Sequence, residues 1–142
     1  MKSKHIFSLN PQGYHRVAYQ EWGDTDNPNV VVCVHGLVRN SRDFDDLAEE
    51  LSSRYRVICP DIVGRGKSDW LPSGVPYGIP QYCQDMVTLI ARLDVEQVDW
   101  VGTSMGGLIG MGLAAYANAP IKRMILNDVG AFIGKESLQR FG

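Results

Sequence analysis

The sequence predicts an α/β protein built on a doubly wound, mostly parallel sheet. Three observations carry that class: short unbroken apolar runs, segments of helical period alternating with them, and glycine-rich turns at the junctions. Val30-Val31-Val32-Cys33-Val34 is apolar at every position, the pattern of a strand covered on both faces. Before it, His5 to Leu9 and Tyr14 to Trp22 read as two strands joined by the turn Asn10-Pro11-Gln12-Gly13, an antiparallel hairpin. After it, Asn40 or Ser41 caps a helix whose apolar positions Phe44, Leu47, Ala48 and Leu51 recur at helical spacing. Tyr55 to Pro60 supplies the next strand and completes a βαβ unit. A Gly- and Pro-rich loop runs from Asp61 to Pro80, and Tyr82, Met86, Leu89, Ile90 and Leu93 mark a second helix. Val98 to Val101 is a strand, Gly102 to Gly107 a turn, and Leu108 to Ala115 a helix apolar enough to lie against the sheet. Ile121 to Leu126 is the last strand.

With 142 residues, 44% hydrophobic and 21% charged, the chain has the composition of one globular domain or part of one. Fourteen basic residues against 16 acidic ones, without clustering, leave no electrostatic footprint for nucleic acid or an anionic membrane. A small neutral or mildly polar substrate is expected. The basic start Met1-Lys2-Ser3-Lys4-His5 lacks the apolar stretch of a signal peptide, and no run approaches the roughly 20 apolar residues that span a bilayer, so a cytoplasmic protein is expected. Cys33, Cys59 and Cys83 show neither Cys-x-x-Cys spacing nor a Cys/His cluster and read as structural free thiols. No metal or organic cofactor is implied, since a ligand cluster and a G-x-x-x-x-G-K-[ST] phosphate loop are both lacking from the sequence.

Gly102-Thr103-Ser104-Met105-Gly106 matches G-x-S-x-G, and it lies directly between an apolar strand and an apolar helix. A nucleophile on so sharp a turn takes a strained backbone, and side chains two residues to either side would collide where strand and helix approach. Glycine at both places removes the collision. The turn aims the Ser104 hydroxyl into the crevice at the carboxyl end of the sheet, where the positive end of the helix favours developing negative charge. The competing assignment, that Ser104 only caps the helix, does not require the two glycines.

Acyl transfer also needs donors aimed at the oxygen that becomes negative. One is the N–H of Met105, the residue after the nucleophile. The other belongs to the loop after the first buried parallel strand, His35-Gly36-Leu37, with Leu37 the candidate. His35 precedes Ser104 on the oxyanion side and reads as a loop-holding histidine rather than a base, while His5 and His15 belong to the outer hairpin with surface or packing roles.

Together, strand-His35-Gly36-Leu37, the loop Asp61-Ile62-Val63-Gly64-Arg65-Gly66-Lys67-Ser68 and the Ser104 elbow resemble the α/β-hydrolase fold over nearly the whole chain, including its esterase, haloperoxidase-like and C–C hydrolase branches. The resemblance implies a serine hydrolase of carboxylic esters or related small acyl compounds working through an acyl-enzyme. It equally admits a C–C bond or thioester hydrolase, or a ligand-binding protein that keeps the pocket. It gives the Asp61 to Ser68 loop a structural role.

The family's triad runs nucleophile, acid, histidine, yet no histidine follows Ser104. A serine without an imidazole is a poor nucleophile at neutral pH, so these 142 residues alone are expected to be nearly inactive. Residues 1–142 are therefore expected to be the N-terminal part of one α/β-hydrolase domain, with cap and C-terminal strands absent. An exposed edge on the last strand would then pair with a missing C-terminal segment or with a second copy. Some branches of the family place the acid after the strand preceding the cap, the position of Asp128; in the other assignment Asp128 satisfies the loop backbone of Asn127-Asp128-Val129-Gly130. Asp45, Asp46, Asp85 and Asp94 are placed on exposed helix faces or ends. Leu37, Val38, Met105 and Phe132 suggest an apolar entrance.

Overall fold

The computed structural model describes residues 1–128; Phe132 lies outside them. Strands β1 (Lys2–Asn10) and β2 (Gly13–Trp22) form the hairpin, and β3 (Val30–Val34), β4 (Arg56–Pro60), β5 (Val98–Thr103) and β6 (Ile121–Asn127) follow. Helices α1 (Asp45–Leu51), α2 (Ile79–Arg92) and α3 (Met105–Ala114) connect them. The six strands lie in the order β1-β2-β4-β3-β5-β6, antiparallel through β1, β2 and β4 and parallel from β4 to β6.

The apolar runs are apolar throughout because each strand feeds two cores. Val30, Val32 and Val34 of β3 enter one core with Ile58, Trp100 and the inner faces of α2 and α3. Val31 and Cys33 turn the other way, toward Val57, Cys59 and the helix residues Phe44 and Ala48. The period of two thus divides one run between opposite faces. Cys33 and Cys59 are free and buried; the Cys33 thiol beside it and burial together push Cys59 far above the ordinary thiol range. Both are inert packing groups.

Chain winding fixes where a ligand can sit. From β3 the chain moves to β4 on one side, then crosses back past β3 to β5 and on to β6. Winding reverses between β3 and β5, so the loops leaving their carboxyl ends diverge and open a crevice. His35-Gly36-Leu37 and Ser104 are on those two loops.

Two local readings are corrected. The segment after β3 begins with a 3-10 turn, Ser41–Phe44, capped by the Asn40 side chain on the Arg42 N–H, before α1 proper, and Leu47 is 39% exposed rather than core. Asp85, placed by sequence on an exposed face, is buried. Its Oδ1 accepts from the Ser8 hydroxyl at 2.7 Å, from His15 Nε2 at 2.9 Å and from the Gln81 amide at 2.9 Å. The Asn10 amide faces His15 Nδ1 at 2.9 Å, while its carbonyl oxygen takes the Gln12 N–H. That leaves Nδ1 an acceptor and puts the His15 proton on Nε2, pointing at Asp85. The network pins the hairpin to α2 across 70 residues of sequence.

Asp85→Ala would strand two buried donors at once, the Ser8 hydroxyl and His15 Nε2, and is expected to cost about 3 kcal/mol, seen as a lowered urea midpoint. An unchanged midpoint would show that the network contributes nothing net.

Candidate active site

Ser104 joins β5 to α3 with φ 54° and ψ −114°, a conformation that serine adopts only when its surroundings impose it. Four contacts do so. The Ser104 N–H donates to the Asn127 carbonyl at the end of β6, at 2.9 Å. Its own carbonyl accepts from Gly107 and Leu108 at 3.0 and 3.2 Å and begins the helix. A Cβ on Gly102 would lie 2.5 Å from the Gly107 nitrogen, and one on Gly106 would overlap the Val34 carbonyl oxygen. The collision expected at Gly106 is therefore with β3 rather than with the strand that leads to Ser104. The Trp100 indole N–H holds the Gly106 carbonyl at 3.0 Å. Although Ser104 stands at the helix N-cap, its side chain makes no capping bond. The hydroxyl is left available.

The loop after β3 comes up beside it. A Cβ on Gly36 would sit 3.5 Å from Ser104 Cβ, which puts the His35-Gly36-Leu37 backbone next to Ser104. Among the described residues, neither the Leu37 N–H nor the Met105 N–H has an acceptor. Met105 is the first residue of α3, whose opening N–H groups have no partner within the helix. The Arg65 Nε donates to the Leu37 carbonyl at 2.9 Å, a brace that the sequence reading missed.

His35 is wholly occupied. Its Nε2 accepts the Ile62 N–H at 3.0 Å, so the proton is on Nδ1 and goes to the Gly36 carbonyl at 2.7 Å. Burial holds its pKa below the ordinary histidine value, against the Gly36 carbonyl and Asp61, which favour the charged form. It ties the loop after β3 to the loop after β4. Asp61 reinforces this tie, accepting the Ser41 and Lys67 N–H groups at 2.8 and 3.0 Å. The structural role expected of that loop follows from these bonds.

Asp128 follows Asn127 at the end of β6, exposed, with φ 56°. Among the described residues no three His, Cys, Asp or Glu side chains gather as metal ligands, and no helix is long and apolar enough to cross a membrane. A cleft of about 420 Å³ beside the loop after β3 is lined by Leu37, Val38, Gly64, Arg65, Trp70 and Tyr77. A larger one of about 650 Å³, between the hairpin turn and residues 75–84, includes none of the loops that carry Ser104 or Leu37. Volume alone does not locate the site.

Residues 29–140 match the model of the alpha/beta hydrolase fold family. The chain belongs to that family. Among curated relatives of this α/β-hydrolase, the 3-hydroxybutyrate-oligomer hydrolase of Cupriavidus necator is 57% identical over 134 residues, 94% of this chain and 46% of the relative. Among solved structures, a proposed hydrolase from Rickettsia typhi superposes with a TM-score of 0.84 at 36% identity, over 99% of this chain and 52% of that one. An α/β-hydrolase from Novosphingobium aromaticivorans gives 0.78 at 40% identity, over 97% and 48%. The chain spans about half the length of these three proteins.

Gly106→Ala would drive a methyl into the Val34 backbone, which has no rotamer to yield. A loss of more than about 3 kcal/mol is expected by thermal or urea unfolding, and wild-type stability would refute the packing. His35 makes stability depend on pH. Its folded pKa is depressed, so below about pH 6.5 the unfolded chain takes up a proton that the folded chain refuses, and stability falls as pH drops. His35→Gln should flatten that slope between pH 7.5 and 5 in urea titrations; an unaltered slope would exclude His35 as its source.

Proposed function

We propose that this chain carries the nucleophile and oxyanion donors of a serine hydrolase of carboxylic esters, and that its substrates are short oligoesters of a hydroxy acid. The observation that carries the reading is Ser104: a strained φ of 54° between strand and helix, with its hydroxyl not spent on a cap. The 57% identity to a 3-hydroxybutyrate-oligomer hydrolase supports the substrate class.

In this reading the Ser104 Oγ attacks the ester carbonyl, and the N–H groups of Leu37 and Met105 hold the oxyanion. The alcohol leaves, and water releases the acyl group from serine. An imidazole must take the serine proton. His35 and His15 have both ring nitrogens engaged, and His5 lies on the outer hairpin strand, so the base comes from outside these 142 residues. Asp128, directly after the residue that holds the Ser104 N–H, is the acid candidate within the chain. Hydrolysis is thus assigned to the whole protein, and the chain alone is expected to be nearly inactive. Ile125 and Leu126 stand exposed on β6, which among the described residues pairs only with β5. A further segment of the whole protein, pairing with that edge, would cover them.

Fluorophosphonate labelling read by intact mass tests the nucleophile. A single adduct is expected on the wild-type protein and none on Ser104→Ala, with hydrolysis of a linear 3-hydroxybutyrate dimer falling at least roughly a thousandfold. An adduct that persists in Ser104→Ala would sink the assignment.

A further inference from the structure

Arg39, Arg42, Arg56 and Arg123 each sit against a carboxylate, Asp43, Asp45, Glu21 and Asp99 respectively. Arg65 does not. Its guanidinium is fixed by three neutral acceptors: Nε on the Leu37 carbonyl at 2.9 Å, and Nη1 on the Val63 carbonyl and the Tyr82 hydroxyl, both at 3.0 Å. It also lies over the rings of Tyr82 and Tyr77, 5.3 and 5.9 Å from their centroids. Arginine has five N–H donors, and these bonds use three of them. Among the described residues, both N–H groups of Nη2 are without an acceptor and the positive charge is without a carboxylate.

Arg65 lines the cleft of about 420 Å³ beside the loop that carries Leu37, and its remaining walls are mostly apolar. Val38 is 87% and Trp70 76% exposed there, while Leu37 and Tyr77 are also largely open to solvent. A pre-fixed cation at the edge of an exposed apolar wall matches an amphiphile of low polarity with one anionic end. An oligomer of a hydroxy acid is such a molecule: methylated ester units with one free carboxylate at one terminus. With Nε and Nη1 engaged, the two Nη2 N–H groups remain to donate to that carboxylate.

We propose that Arg65 binds the free carboxylate terminus of the substrate, against the apolar wall of Val38 and Trp70, and so selects short oligoesters by their acid end. This rests on the ester-hydrolase reading above and adds a specificity-determining residue to it. It also departs from the neutral substrate suggested by overall charge, because the cation is local. Leu37 links the two tasks: its carbonyl is held by Arg65, and its N–H is the oxyanion donor.

The test compares a linear 3-hydroxybutyrate dimer with the same dimer capped as its carboxamide, using the whole protein and its Arg65→Gln and Arg65→Lys variants. Arg65→Gln should lower kcat/KM on both substrates by removing the brace on Leu37, and on the acid by about tenfold or more beyond its loss on the carboxamide, that excess falling mostly on KM; Arg65→Lys should recover part of the excess. Equal losses on both substrates would reduce Arg65 to a brace of the oxyanion loop and overturn the proposal, as would no loss on either. If the wild-type protein hydrolyses neither dimer, the ester-hydrolase reading fails, and binding decides the carboxylate site separately. Titration with 3-hydroxybutyrate and with 3-hydroxybutyramide, followed by tryptophan fluorescence, should then show a preference for the acid that Arg65→Gln abolishes. Equal binding of the two, or a preference that survives the substitution, would overturn it.

Discussion

The site depends on one close approach, that of the first turn of α3 to the carboxyl end of β3, at a separation that leaves no room for a methyl group on Gly106. Because the helix begins so near the sheet, the residue joining β5 to α3 must reverse direction within a single φ/ψ pair. Serine pays for that reversal with left-handed backbone of the kind that costs roughly 1–3 kcal/mol. The same approach brings Gly36 against Ser104, beside the first residue of α3. The placing of Ser104, Gly36 and Met105 together is therefore a consequence of one packing distance.

A second layer of constraints holds the loops around that contact, and the partners in it are neutral. His35 uses both ring nitrogens on backbone groups, and Arg65 uses three donors on two carbonyls and a hydroxyl. Burial lowers the His35 pKa, in keeping with an Nε2 that accepts the Ile62 N–H. The Asp61 carboxylate is absorbed by two backbone N–H groups of its own loops. Among these groups, Arg65 alone keeps donors in reserve.

The fold was legible because its signals are periodic and local. The five-residue run Val30–Val34 announces a doubly covered strand, and the 3.6-residue spacing of Met86, Leu89, Ile90 and Leu93 announces α2. Ser104, too, was legible, since paired glycines around a serine between strand and helix have a steric cause. What escaped was every polar group whose partner is distant in sequence. Asp85 carries the charge of a surface residue, and its burial follows from Ser8 and His15 some 70 residues away. Arg65 looks like one more loop cation until the Leu37 carbonyl, 28 residues earlier, is brought beside it. Helical spacing placed Leu47 in the core, but the opening 3-10 turn rotates the face and leaves it outside.

The bond from the Ser104 N–H to the Asn127 carbonyl has a consequence for the order in which the molecule is made. A bend that serine would not take by itself is held by one partner 23 residues downstream and by another strand about 70 residues upstream. Contacts of such separation form late in folding, after the local helices and the hairpin. On the ribosome, the turn bearing the hydroxyl has its full set of tethers only once β6 has emerged and docked. The Ser104 turn is thus among the last features of these six strands to be completed, and a nascent chain stopped short of Asn127 would lack the bond that holds it.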